Sequence, residues 1–244
     1  ASNGSVTATT DADFCCVGAT AAIATTAGGN SITSTGSTTT SIQGAVQTTA
    51  TGETIQAVSD VYAGSANGAI VTTTASGNSY VLHNEWGYTS LGREGSELYQ
   101  GNESEIDARS WVTLDNWNGH AAVSSYGVGN SAVVGNIGSD TALHTIQSNF
   151  GAVGSQASFD GASATGGVAQ LTSTSIGNAA SATLCTACND ASLSGTVSQF
   201  NSGNIYATGI MNAPNAGVVI GTATAIGNSA TFQTGNMTST TNGD

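Results

Sequence analysis

The stretch that decides the fold is Gly221-Thr222-Ala223-Thr224-Ala225-Ile226-Gly227-Asn228-Ser229-Ala230-Thr231-Phe232-Gln233-Thr234-Gly235-Asn236. It contains two short runs in which small apolar residues alternate with hydroxyl or amide residues. Such alternation is typical of a half-buried β-strand. A Gly-Asn pair separates the two runs, and both residues tolerate a positive φ. We therefore expect a sharp corner between two strands.

The Gly-Asn corner recurs at regular intervals along the chain. Its five copies are Gly29-Asn30, Gly77-Asn78, Gly129-Asn130, Gly177-Asn178 and Gly227-Asn228. Successive glycines are 48, 52, 48 and 50 residues apart. Two further pairs, Gly101-Asn102 and Gly203-Asn204, lie midway between corners. These half-steps indicate a basic period of about 25 residues, which is typical of a solenoid. The sequence therefore predicts an all-β protein, a β-solenoid or β-helix of about nine coils with roughly 25 residues each.

The repeat also predicts the domain organisation. A continuous array favours one elongated domain. We expect an N-terminal arm and first strand over residues 1–28, a single solenoid over residues 29–236 and a C-terminal tail over residues 237–244. Small inward alanine and valine side chains predict a narrow, dry interior. Glutamines near isoleucine or valine either stack as amide ladders between coils or face outward, and both interpretations stay open for Gln43, Gln56, Gln147, Gln170 and Gln199.

Charge and composition argue against several classes of protein. The chain has two Lys or Arg residues in total, Arg93 and Arg109, against fifteen carboxylates, and its net charge is −13. Nucleic-acid binding depends on lysine and arginine, so we expect no nucleic-acid partner. The same charge disfavours an anionic membrane surface. No run of about 18 apolar residues occurs, so we expect no membrane insertion. With one proline and 7% charged residues, the chain also differs from disordered proteins.

The surface composition favours an extracellular location. A lysine-free acidic surface covered with Thr, Ser and Asn is typical of an extracellular protein. The chain opens at Ala1 on polar sequence without an apolar segment. We therefore expect export by a signal peptide that has already been cleaved.

Four cysteines stand in two close pairs, Cys15-Cys16 and Cys185-Thr186-Ala187-Cys188. In an oxidising compartment they predict structural disulfides. Four cysteines allow three connectivities, and the sequence does not choose among them. Each pair closes on itself, or the first pair bonds to the second pair of a neighbouring copy. Adjacent cysteines are poor zinc ligands, and a redox Cys-x-x-Cys would require a βαβ context that is missing.

Residues 83–120 differ in composition from the rest of the chain. They hold all three tryptophans, both arginines and seven of the fifteen carboxylates. Insertions in a solenoid form loops on one face, often the binding face, so we expect this segment to protrude. Three interpretations follow: a cap or subunit contact with paired arginines and carboxylates, a carbohydrate platform, or a calcium site. The contact candidates are Trp86, Trp111, Trp117, Tyr88 and Tyr99.

No catalytic constellation is evident. Polysaccharide lyases on β-helices use lysine or arginine, which are scarce here. A glycosidase needs only two opposed carboxylates, but acidic clusters are too common to indicate one. A Gly-x-Ser-x-Gly elbow in a strand-to-helix setting does not occur. We predict a protein that is not an enzyme, with no catalytic residues, cofactor or metal site.

The C-terminal third resembles a known family. Its motifs, clearest over residues 171–236, are Ile176-Gly177-Asn178-Ala179-Ala180, Cys185-x-x-Cys188, Thr196-x-x-Gln199-x-Asn201-Ser202-Gly203-x-Ile205-x-Ala207-Thr208 and Ala223-x-Ala225-Ile226-Gly227-Asn228-Ser229-Ala230-Thr231-Phe232. This order is similar to that of the holdfast anchor protein HfaD family. The resemblance implies a secreted surface component that helps to fix an adhesive polysaccharide holdfast to the envelope of Gram-negative bacteria. It implies no catalytic residues.

Together these observations predict a secreted structural protein of the bacterial cell surface, a subunit of a head-to-tail adhesive or holdfast-anchoring fibre. Solenoid ends are open β-edges, and the usual guards are nearly absent, since lysine is missing and Pro214 is the single proline. Expected partners are other copies of the chain, extracellular polysaccharide or outer-membrane anchoring proteins. The alternatives are a carbohydrate-binding module built on residues 83–120, or an ice-binding solenoid, which would require a regular Thr-x-Thr column.

Overall fold

The structure, a computed structural model, describes residues 1–161, 167–186 and 191–236. The described residues form sixteen β-strands and no helix. All strand pairs within the sheets are parallel, and the sheets stack into a β-solenoid. The prediction of an all-β solenoid is therefore confirmed.

Three parallel sheets form the sides of the solenoid. The first sheet contains β1 (Val6–Phe14), β5 (Thr54–Ala63), β9 (Glu105–Leu114), β12 (Val153–Asp160) and β15 (Ile205–Asn212). The second contains β2 (Val17–Gly36), β6 (Ala66–Glu85), β10 (His120–Ile137), β13 (Val168–Thr186) and β16 (Val218–Asn236). The third contains β3 (Thr40–Ile42), β4 (Val46–Thr48), β7 (Thr89–Leu91), β8 (Leu98–Asn102), β11 (Thr141–Asn149) and β14 (Leu193–Asn201).

One coil takes about 50 residues, twice the predicted length. The pairing aligns Asn78 with Asn130 and Asn130 with Asn178, which are 52 and 48 residues apart. The first and second sheets each contain five strands, so the described chain makes five coils, or about 24 Å at the usual strand spacing. The prediction of about nine coils of roughly 25 residues is wrong because the half-step pairs Gly101-Asn102 and Gly203-Asn204 lie at other positions within a coil and do not begin a new one. Residues 1–28, expected as an N-terminal arm and first strand, contain β1, which pairs with β5, and the start of β2, which pairs with β6.

The Gly-Asn pairs do form corners, but not through a positive φ. Along β6, buried side chains alternate in one phase up to Gly77 and in the opposite phase from Asn78 onward. None of the five corner glycines has a positive φ. A Cβ atom on Gly77 would lie 2.5 Å from the carbonyl oxygen of Gly129 and 2.6 Å from Oδ1 of Asn102. Glycine is therefore required by close approach between coils, and the conformational explanation is corrected.

The interior is partly polar, contrary to the prediction of a dry alanine and valine core. Apolar side chains form three buried clusters, around Phe159, Leu143 and Ile106. Between the first and second sheets, five buried hydroxyl groups and one half-buried one, of Thr10, form a chain of hydrogen bonds of 2.7–2.8 Å. Its members are Thr10, Thr25, Ser59, Thr73, Ser110 and Ser125. These hydroxyls satisfy one another, so they are compatible with burial.

Residues 83–120 continue the solenoid instead of protruding from it. Strand β9 pairs in register with β5 and β12 over its length, and β8 pairs with β4 and β11. The expectation of a protruding insert is wrong because this segment supplies strands to all three sheets of the second and third coils. Its unusual composition is distributed among those strands and their corners.

Candidate functional site

A ladder of asparagine side chains runs along the solenoid at the Gly-Asn corners. Each Nδ2 donates to the Oδ1 of the asparagine one coil further on, at 2.7–2.8 Å. This corner ladder consists of Asn30, Asn78, Asn130, Asn178 and Asn228. The second N–H of each of the first four donates to a backbone carbonyl of the third sheet. The buried amides are thus bonded both along and across the solenoid.

A glutamine ladder runs in the opposite sense on the third sheet. Its members are Gln47, Gln100, Gln147 and Gln199, and each Nε2 donates to the Oε1 of the preceding coil at 2.7–2.8 Å. A second asparagine ladder joins Asn102, Asn149 and Asn201 at 2.7 Å, and Thr49 caps it through Oγ1.

The predicted amide ladder is thus confirmed for Gln147 and Gln199. It does not extend to the other three glutamines. Gln43 donates to Ser41, and Gln56 donates to Asp107. Gln170 is exposed. Sequence analysis missed Gln47 and Gln100, although the spacing of about 50 residues would have indicated them.

The two ends of the solenoid differ in how well they are closed. In the first coil, the inward residues Ala21, Thr25 and Ala27 are buried. At the other end, no described residue beyond Leu184 is buried.

In the second sheet, residues of the last coil, β16, pair with residues of β13 one coil before, and comparing the two shows which inward-facing side chains become exposed. Val219 pairs with Ala169 and Phe232 pairs with Ala182, and both alanines are fully buried. Yet Val219 is 53% and Phe232 is 43% exposed. The last described coil therefore presents inward-facing apolar side chains to solvent.

Charge is nearly absent from both end coils. Residues 191–236 contain no Asp, Glu, Lys or Arg, and residues 1–50 contain only Asp11 and Asp13. Exposed β-edges are ordinarily protected by charged side chains. Within residues 191–236, the outer edges of β15 and β16 carry no such charge.

The five aromatic contact candidates lie on different sides of the molecule. Trp117 is 2% exposed and packs in the core, so its prediction as a surface contact is wrong. Trp111 is half-buried on the first sheet and Tyr99 half-buried on the third. Trp86 and Tyr88 are 62% and 43% exposed at the corner between the second and third sheets. The structure brings only these last two together.

Trp86 has a strained backbone beside a concavity. It is the one described residue other than glycine with a positive φ, 64°. Its ring lies over Gly138, where an added Cβ atom would be 2.7 Å from Cε3. The neighbouring Glu85 lines an open concavity of about 540 Å³ that also includes His83 and Cys185. Strain of this kind at an exposed aromatic residue suggests a functional constraint.

The described cysteines form no disulfide. The sulfurs of Cys15 and Cys16 are 3.1 Å apart, which exceeds the roughly 2.05 Å of an S–S bond. Hydrogen bonding with the Cys15 sulfur raises the pKa of the exposed Cys16 thiol. Cys185 lies near the end of β13, and Cys188 is outside the described residues.

Electrostatic contacts involve the central coils. Within residues 1–161, 167–186 and 191–236, one ion pair joins Arg109 Nε to Asp107, at 2.8 Å. Gln56 donates to the same carboxylate, at 2.8 Å. Over those ranges, no three His, Cys, Asp or Glu side chains converge as a metal site would require. In the same part of the chain, no helix could span a membrane.

The ice-binding alternative requires a regular array of threonines, but the threonines aligned by strand pairing in the second sheet form an interrupted one. Thr172 and Thr174 align with Thr222 and Thr224 on the outward face of the second sheet. The third coil breaks the column with Tyr126.

Fold and site define a parallel β-solenoid whose last described coil is open and whose coils are joined by amide ladders. A family model, holdfast attachment protein D (HfaD), matches residues 1–152, and the chain belongs to this family. The predicted resemblance is confirmed, although the match lies in the first three coils and the quoted motifs lie further on. Neither a curated protein nor a solved structure matches the chain. Membership implies a cell-surface protein with a role in holdfast attachment, and the family is structural.

Proposed function

We propose that this protein is a secreted structural subunit of a head-to-tail fibre that anchors a holdfast at the cell surface. The observation that carries the proposal is the open C-terminal coil, with Val219 and Phe232 exposed and no charge on residues 191–236. The N-terminal coil presents a different surface, where β1 and β2 each have one paired edge within the described residues. Two unlike open ends that fit each other produce a linear assembly when the rotation between copies does not close a ring.

Blocking one end tests the fibre directly. Ala223 lies in an inward column and is exposed in the last coil, so Ala223→Lys places a charge on the open end. Thr222→Lys adds the same charge one residue away on the outward face. Electron microscopy should show fibres for the wild type and Thr222→Lys, and monomers for Ala223→Lys. Monomers for all three proteins, or fibres for all three, would contradict the proposal.

The joint between subunits is expected to be non-covalent. Cys15 and Cys16 follow β1 at the corner between the first and second sheets, whereas Cys185 lies at the far end of the second sheet. When copies stack along a common axis, the corner that carries Cys15 and Cys16 does not meet the corner that carries Cys185. Denaturing electrophoresis without reductant should therefore give a monomer band. A ladder of oligomers that disappears with reductant would show the intersubunit disulfide instead.

A second candidate function, binding of carbohydrate, is favoured by Trp86. Its exposed ring, beside Tyr88 and the concavity at Glu85, offers an apolar face next to polar groups. Trp86→Ala should weaken retention on immobilised holdfast polysaccharide, whereas Trp111→Ala, on the first sheet, should not. Equal retention of both variants would argue against this site.

A further inference from the structure

The ends of the corner ladder are chemically different because all its amides point the same way. Asn30 donates through Nδ2 to Asn78 and to the carbonyl of Thr48, which leaves its Oδ1 as an acceptor. Asn228 accepts from Asn178 through Oδ1, which leaves its Nδ2 as a donor. Thus the first coil ends in an acceptor and the last coil ends in a donor.

We propose that Nδ2 of Asn228 in one copy donates to Oδ1 of Asn30 in the next, so that the corner ladder continues across the subunit junction. The inference rests on the fibre proposed above and names the contact that sets its register. It places β2 of the following copy beside β16, and β1 beside β15. The occupant of the open end is therefore a second copy of this chain.

The glycine column supports the same register. Within one copy, each corner glycine approaches the carbonyl of the next, as Gly177 does with Gly227 at 2.5 Å from a built Cβ. Gly227 has no such neighbour within the described chain. Stacking Gly29 of the next copy on it extends the column without a side chain in the way. Asparagine then aligns with asparagine across the junction, as it does in every coil.

Ladder polarity also selects the orientation of the copies. A head-to-head contact would oppose two Oδ1 atoms, and a tail-to-tail contact would oppose two NH₂ groups. Only head-to-tail stacking forms the hydrogen bond. In the described residues the third sheet ends at β14, one coil earlier than the other two sheets. Among the described residues, the junction therefore involves the first and second sheets, and the glutamine ladder ends one coil earlier, at Gln199.

The substitution Asn228→Asp tests the ladder contact with little effect on the fold. Asn228 is exposed, and its Nδ2 donates no hydrogen bond within the described chain. The carboxylate still accepts from Asn178 but has no proton for Asn30. We expect the concentration needed for assembly at pH 7 to rise about tenfold or more. At about pH 3, where an aspartic acid is protonated, the difference from the wild type should disappear.

Asn215→Asp is the matched control, with the same change of charge on the same coil but outside the ladder. It should assemble like the wild type at both pH values. Light scattering over a dilution series gives the assembly concentration, and thermal unfolding of the monomers shows that the variants are folded.

Cysteine cross-linking tests the register independently. Extending the pairing places Thr231 of one copy beside Thr33 of the next, at about 4.8 Å between Cα atoms. In a background with the four native cysteines changed to serine, Thr33→Cys with Thr231→Cys should give covalent oligomers on oxidation. Thr33→Cys with Thr224→Cys, on the other side of the corner, should not.

The outcomes separate this inference from the fibre itself. Fibres that form equally well with Asn228→Asp, or that cross-link only in the control pair, would overturn the ladder junction and leave the fibre standing. A wild-type chain that stays monomeric at every concentration would overturn both.

Discussion

The ring of Trp117 stands edge-on against the ring of Phe159, with centroids 5.2 Å apart and planes at 89°. Trp117 Nε1 donates to the carbonyl of Gly161, so its polar atom is satisfied within the core. We expect Trp117→Ala to destabilise the protein by about 3–5 kcal/mol, because it removes a large buried side chain. Urea unfolding followed by circular dichroism measures the loss.

Trp86→Ala is the control for that measurement, since Trp86 is 62% exposed. It should change the free energy of unfolding by about 0.5 kcal/mol or less. If the two variants were equally stable, the assignment of Trp117 to the core would be wrong.

A methyl group at a corner glycine should disrupt the stacking of coils. In Gly77→Ala the new Cβ atom would lie 2.5 Å from the carbonyl oxygen of Gly129, and backbone atoms cannot move aside cheaply. At Gly28 the nearest atom to a built Cβ is Ser76 Oγ, at 3.5 Å. We expect Gly77→Ala to lower the melting temperature markedly and Gly28→Ala to leave it nearly unchanged. Similar melting temperatures would contradict the close-approach explanation.

Removing one amide from the middle of the corner ladder should cost more than removing an exposed one. Asn130 accepts from Asn78 and donates to Asn178 and to the carbonyl of Ser148. Asn130→Ala leaves buried partners unsatisfied, and we expect a loss of about 3 kcal/mol in the free energy of unfolding. Asn204→Ala, on the surface, should be nearly neutral. The urea midpoints of the two variants test the difference.

The pKa of the Asp140 carboxyl group should be sensitive to the contact between the third coil, which contains Asp140, and the fourth coil, which contains Ser192. Ser192 donates to it from its backbone N–H at 2.7 Å and from its hydroxyl at 2.9 Å. These bonds hold the pKa of Asp140 below its ordinary value. A carboxyl with a depressed folded pKa contributes stability above its unfolded pKa, and this contribution is lost as the pH falls through the folded pKa.

We expect Ser192→Ala to raise the pKa of Asp140, because one of its two hydrogen-bond donors is lost. The free energy of unfolding should then fall less as the pH is lowered. An NMR titration of the Asp140 carboxyl carbon measures the shift, with Ser194→Ala as the control. An Asp140 titration unaffected by Ser192→Ala would contradict the assignment.

Strand alternation and Gly-Asn corners are local features, so the sequence was sufficient to predict a β-solenoid and the position of its corners. The coil length was not predictable in the same way. Asn102 and Asn149 form a second ladder elsewhere on the perimeter, and a sequence repeat does not show whether two equivalent corners belong to one coil or to two. Only the pairing of Asn78 with Asn130 decides this question.

The aromatic residues show a different limit. Composition alone indicated a surface platform in residues 83–120, yet Trp117 faces inward. A non-local signal for its burial is the pair Gly161 and Gly167, where an added Cβ atom would lie 2.4 Å from the Trp117 ring. These glycines are more than forty positions away in the chain, so their relation to Trp117 appears only once the coils are stacked.

The path of the backbone around the solenoid has a mechanical consequence. The covalent chain circles the long axis, so tension applied along that axis is carried mainly by hydrogen bonds between coils. These bonds, including the ladder contact between Asn78 and Asn130, lie side by side around the perimeter. They are loaded together, so a coil has no single weakest bond at which separation begins. Under a pull along its axis, such a solenoid is expected to hold up to one threshold force and then to separate abruptly between two coils.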